Sequence, residues 1–93
     1  MEKIRETIIY YIEKVLLPEY GPFDYEVTKT EEHGNYLGPP GYVIEYTNFD
    51  MKKKELLVKE NFMFFSALGW SAIFYDVGDL FYIVGGTYDK KFG

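Results

Sequence analysis

Trp70-Ser71-Ala72-Ile73-Phe74-Tyr75-Asp76-Val77-Gly78-Asp79-Leu80-Phe81-Tyr82-Ile83-Val84 is the stretch on which the fold turns. Two runs of aromatic and β-branched residues flank Asp76-Val77-Gly78-Asp79, and Gly78 is available for positive φ, so a β-hairpin is predicted, with strands over 70–76 and 80–84. Neither strand alternates between apolar and polar. Trp70, Ala72 and Phe74 take one face while Ser71, Ile73 and Tyr75 take the other; Leu80, Tyr82 and Val84 oppose Phe81 and Ile83. Strands that are apolar on both faces lie centrally in a sheet or are covered on both sides. Gly85-Gly86 then predicts a bulge or a strand end, and residues 89–93 a frayed tail.

Upstream of the hairpin the pattern is mixed. Residues 61–68 place Phe62, Phe65 and Leu68 at helical spacing, with Gly69 as a natural residue after the last turn, which predicts a short helix, an extended continuation of the preceding strand being the competing reading. Residues 55–60 are expected to be a strand, Leu56 and Val58 pointing inward, entered through a polar turn over 48–54. Two further strands are expected over 23–30 and 42–49. In the first, Phe23, Tyr25 and Val27 alternate with Asp24, Glu26 and Thr28; in the second, Tyr42, Ile44 and Tyr46 alternate with Glu45 and Thr47. Glu31 to Gly41, with Gly34, Gly38, Pro39, Pro40 and Gly41, forms the loop between them.

The N-terminus carries the strongest helical pattern. Ile4, Ile8, Ile12, Val15 and Leu16, joined by Tyr11, make an apolar stripe over 2–17, and Pro18 followed by Tyr20-Gly21-Pro22 is expected to end it. The predicted architecture is therefore a single α+β domain over 1–93, in the order α-β-β-β-(short α)-β-β. Its N-terminal helix packs on a mainly antiparallel five-stranded sheet. Asp24, Glu26 and Glu45 then fall on the face opposite the helix, with Glu55 a further candidate for it. One helix cannot cover both faces of the last hairpin, so either the second helix crosses over or another chain covers the apolar face.

Composition narrows the functions available. The chain has 93 residues, 20% of them aromatic, with fifteen acids against ten bases and a net charge of −5. That balance repels phosphate backbones and favours a basic protein surface as partner. Without Cys, disulfides, thiolate chemistry and zinc–thiolate sites are excluded. No signal peptide is expected, and the longest uncharged apolar run, 61–75, is too short to span a bilayer. A cytoplasmic chain without membrane contact is the expectation.

The candidate catalytic sets are thin. His33, the only histidine, stands beside Glu31 and Glu32 on the Gly-Pro loop, where a solvated side chain is the ordinary outcome. Asp24 with Glu26 falls on a polar strand face, and Asp76 with Asp79 brackets a Gly turn that favours Asp in any case. Ser66 and Ser71 lack a nucleophile elbow, and the glycines near His33 lack the Lys-Ser/Thr of a phosphate loop. Lys52-Lys53-Lys54 is the one basic cluster, diluted by Asp50 and Glu55. No enzyme, cofactor or metal is expected.

Tyr36 and Leu37 stand out, held between Gly34 and Pro39 where they either anchor a partner or fold back as a cap. The first functional expectation is a small acidic protein-binding module. Its contacts would be Asp24, Glu26, Glu45, Tyr36 and Leu37, and it would inhibit a larger protein, such as a nuclease, by occupying a basic, nucleic-acid-binding surface. Size, acidity and tyrosine content suit phage counter-defence inhibitors of the anti-CRISPR type and immunity proteins. A second expectation is a binder of nucleotide-like small ligands, stacking them on sheet aromatics under the Gly-Pro loop. The doubly apolar hairpin also leads to the expectation of a homodimer.

Overall fold

The computed structural model describes residues 2–30 and 41–87. His33, Tyr36, Leu37 and the tail 89–93 lie outside the described residues. Helix α1 occupies 2–20, strand β1 Asp24–Lys29 and strand β2 Gly41–Thr47. A 3₁₀ turn at Met51–Lys53 leads into helix α2, Lys54–Ala67, and strands β3, Trp70–Asp76, and β4, Leu80–Thr87, close the described chain. The fold is α+β, with two helices and four antiparallel strands in the order β1-β2-β4-β3.

Helix α1 passes through Pro18 instead of stopping before it. Residues Glu2–Tyr11 are α-helical, Ile12–Leu16 form a π-turn in which the Leu17 N–H donates to the Ile12 carbonyl, and Leu17–Tyr20 complete a final α-turn. A proline ring clashes with the carbonyl four residues back, and the wider π-turn makes room for it while absorbing the missing N–H. Ile8, Ile12 and Leu16 are fully buried, whereas Val15, expected in the same stripe, points to solvent.

The sequence reading of a third strand over 55–60 is wrong. Those residues belong to α2, which runs on without a break to Ala67, so the sheet has four strands and not five. Leu57, Asn61 and Phe65, spaced four apart, face the sheet, while Leu56, expected inward, is exposed. Asp50 starts the segment by accepting the Lys52 N–H at 3.0 Å. Gly69 and Gly78, with φ of 79° and 80°, end the helix and open the β3–β4 turn respectively.

Both helices pack on one face of the sheet. Val27, Tyr42, Ile44, Tyr46, Phe81 and Ile83 meet Ile8, Ile12 and Leu16 of α1 and Leu57 and Phe65 of α2. Gly85-Gly86 makes neither a bulge nor an end: β4 pairs through both residues to Thr87. A Cβ on Gly85 would stand 2.5 Å from the Phe65 ring, so glycine lets Phe65 lie on the sheet and stack on Trp70 at 5.9 Å between centroids. Polar ties connect the layers. Tyr46 donates to Asn61 Oδ1 at 2.7 Å in the core, and Tyr11 and Tyr20 of α1 donate to Glu60 of α2 at 3.0 and 3.4 Å. Among the described residues no helix is long and apolar enough to cross a membrane.

Candidate binding surface

Because both helices share one face, the opposite face of the sheet carries no helix among the described residues. Its side chains follow from register and pleat. Glu26 of β1 pairs with Glu45 of β2, Glu45 with Tyr82 of β4, and Tyr82 with Tyr75 of β3, making one row across the four strands. The adjoining row is Thr28, Val43, Val84 and Ile73; on the other side stand Asp24, Thr47 and Leu80. The open face is thus divided. Its β1–β2 half carries the acids and its β4–β3 half aromatic and aliphatic side chains; Ile73 and Tyr75 on β3 are 46% and 45% exposed, whereas Val43 and Val84 at the centre of the face are buried.

Glu26 and Glu45 are direct cross-strand partners, and carboxylates in that position repel each other. Asp24, two residues along β1, accepts a hydrogen bond from Asn48 Nδ2 at 2.5 Å. None of the strand positions on this face holds Lys or Arg. Four cations, Lys52, Lys53, Lys54 and Lys59, stand at the start of α2 and along it. Structure therefore brings together three of the residues singled out in the sequence, Asp24, Glu26 and Glu45. Glu55 does not join them: it sits exposed on α2, because the segment that holds it is helical.

A second concavity lies between α2 and the edge strand β3. It has a volume of about 460 Å³, with Val58, Phe62 and Phe74 on its walls and Met51 at its mouth. Lys54 bonds Asp76 across it, and its ammonium lies 5.9 Å from the Phe74 ring centroid. The Lys54 bond, followed by the Gly78 N–H, holds the Asp76 carboxyl below its ordinary range. Asp76 and Asp79 accordingly do not form an acid–base pair: Asp76 caps the turn through Gly78 N–H at 3.1 Å and binds Lys54. This groove escaped the sequence reading because Val58 and Phe62 line it only once 55–60 is helical. The spacing of Leu57, Asn61, Phe65 and Leu68 was the signal that could have found it.

Elsewhere the unusual protonation energetics belong to tyrosines. Burial pushes the Tyr46 hydroxyl far above the phenol range, and burial with the Glu60 bond does the same for Tyr11. Tyr25, which donates to Glu13 at 2.6 Å, is raised to about 12, by desolvation first and by the Glu13 bond second. These are hydroxyls locked as donors. Among the described residues no group of three or more His, Cys, Asp or Glu side chains could hold a metal ion. No family model, no curated protein and no solved structure matches the chain.

Proposed function

We propose that the chain is a protein-binding module, and specifically an inhibitor that lays the acidic half of its open sheet face on a basic, nucleic-acid-binding surface of a larger protein. The observation that carries this is the Glu26–Glu45 pair. Two carboxylates set against each other across neighbouring strands cost the isolated fold stability, and a cationic partner turns that cost into binding energy. Asp24 extends the acidic patch, and the exposed Ile73 and Tyr75 of β3 lie on the same face of the sheet, so that steering charge and apolar contact area share one surface. Carboxylates at sheet spacing stand where phosphates would otherwise lie, which is the logic of counter-defence inhibitors of the anti-CRISPR type and of immunity proteins.

The test is co-purification of a partner with the tagged wild-type chain and with the Glu26→Lys, Glu45→Lys double variant. The wild type retains the partner at low salt and releases it as salt rises; the double variant fails to retain it, with unchanged circular dichroism. Retention indifferent to both salt and charge reversal would overturn the proposal.

A further inference from the structure

We propose that the free edge of β3 joins two copies of the chain, pairing antiparallel with β3 of a second copy about a dyad at Ile73. The two edges of the sheet differ in kind. β1, at one side, carries Asp24, Glu26 and Lys29, charges of the sort that keep an edge from pairing. β3, at the other, presents Trp70-Ser71-Ala72-Ile73-Phe74-Tyr75 without a charge, a proline or a glycine, and its one charge, Asp76 at the strand's end, is bound by Lys54.

The phase of its hydrogen bonds shows which groups are on offer. Val77 N–H donates to the Leu80 carbonyl at 3.0 Å, and the register continues unbroken from Asp76 opposite Phe81 to Trp70 opposite Thr87. Antiparallel alternation therefore turns the main-chain groups of Ser71, Ile73 and Tyr75 toward β4, and those of Ala72 and Phe74 out from the sheet. An unpaired row of this kind is a template for another strand.

A second copy is the occupant that fits, because β3 is complementary to itself. A two-fold interface sets residue i on j and j on i. With Ile73 on the dyad, Ala72 meets Phe74 and Ser71 meets Tyr75, small against large at each step. Ala72 and Phe74 become the hydrogen-bonded pair and use the free groups. The two Ile73 side chains, 46% exposed in the single chain, fall in the non-hydrogen-bonded pair, where side chains come closest. Moving the dyad by one residue sets Phe74 on Phe74 or Ala72 on Ala72, and the match is lost.

Charge agrees with this arrangement. The acids of the open face stand on β1 and β2, away from the joint, so the net charge of −5 does not concentrate there. The dyad runs normal to the sheet, which leaves both open faces on the same side of an eight-stranded sheet. The two acidic halves then lie roughly 25–35 Å apart and can engage a two-fold or repetitive basic target together. That consequence rests on the acidic face being the binding surface; the joint itself does not.

The experiment is light scattering from about 1 to 500 μM, a span that brackets a weak to moderate dimer, combined with amide hydrogen exchange at both ends of the range. The wild type shifts toward twice the monomer mass as concentration rises. The Ala72 and Phe74 amides slow with it, while Ser71, Ile73 and Tyr75 are protected throughout. Ile73→Lys weakens the dimer at least ~10-fold by setting like charges on the dyad, and Leu56→Lys, on α2 outside the groove, leaves it unchanged. A monomer at every concentration, a dimer whose Ala72 and Phe74 amides exchange as fast as in the monomer, or a dimer indifferent to Ile73→Lys would each overturn the joint. Loss of partner binding by the dimer would bear on the acidic face alone.

Discussion

Tyr46 of β2 donates to Asn61 of α2 across the core at 2.7 Å, and the Asn61 amide in turn donates to the Leu57 carbonyl one turn back at 2.7 Å. Both side chains are buried, and no buried side-chain polar atom among the described residues lacks a partner. The bond fixes the rotation of α2 on the sheet, and with it the position of the groove along β3. Tyr46→Phe leaves the Asn61 oxygen unpaired and Asn61→Leu leaves the Tyr46 hydroxyl unpaired, each costing about 1–3 kcal/mol. The double variant loses less than the sum, with a coupling of about 0.5–3 kcal/mol. Urea unfolding of the four proteins measures this.

In the proposed binding mode the Glu26–Glu45 repulsion acts on stability with the opposite sign to its effect on binding. Glu45→Gln raises the melting temperature of the isolated chain by ~1–3 °C at low salt, and added salt narrows the difference by screening the wild-type pair. The same variant binds the partner less tightly. Calorimetric melts at two ionic strengths, beside a binding isotherm, separate the two effects.

Gly85 is a position where no side chain fits. Gly85→Ala sets a methyl carbon against the Phe65 ring at a distance that something must relieve, and the stack of Phe65 on Trp70 gives way. The expected loss is about 1–3 kcal/mol, as for other overpacked cores, with a change in near-ultraviolet dichroism from the displaced tryptophan.

Alkaline pH probes the locked tyrosines. Tyr11, Tyr25 and Tyr46 all have hydroxyls raised above the ordinary phenol value in the folded chain, chiefly by burial. A group raised on folding contributes stability that is whole below its unfolded value, near 10, and is lost as pH climbs through the folded one. Stability should hold flat to about pH 10 and then fall through the Tyr25 value of about 12. Urea midpoints across that range, with tyrosinate absorbance followed in parallel, test the sign; a midpoint that rose with pH would contradict it.

What the sequence made legible and what it hid divide along a physical line. Alternation in β1 and β2 and the Gly78 turn were readable because strand faces and turns are local properties. They placed Asp24, Glu26 and Glu45 on one face correctly. Residues 55–60 misled because Leu56-Leu57-Val58 is an apolar run that suits either period. The four-residue spacing of Leu57, Asn61 and Phe65 marks the helix in the sequence, and their burial against the sheet selects it. Pro18 misled because its usual effect on a helix is avoided by a π-turn that nothing in composition announces. Lys54 and Asp76 are 22 positions apart, and their bond across the groove depends on a topology that no local pattern contains.

On the proposed reading, this chain and nucleic acid compete for one basic surface. The direct measurement is fluorescence anisotropy of a labelled oligonucleotide held by the co-purified partner, titrated with the wild-type chain and with the Glu26→Lys, Glu45→Lys variant. The wild type is expected to drive the oligonucleotide off completely, and the variant to need at least ~100-fold more to do so. A stable ternary complex of partner, oligonucleotide and wild-type chain would contradict it.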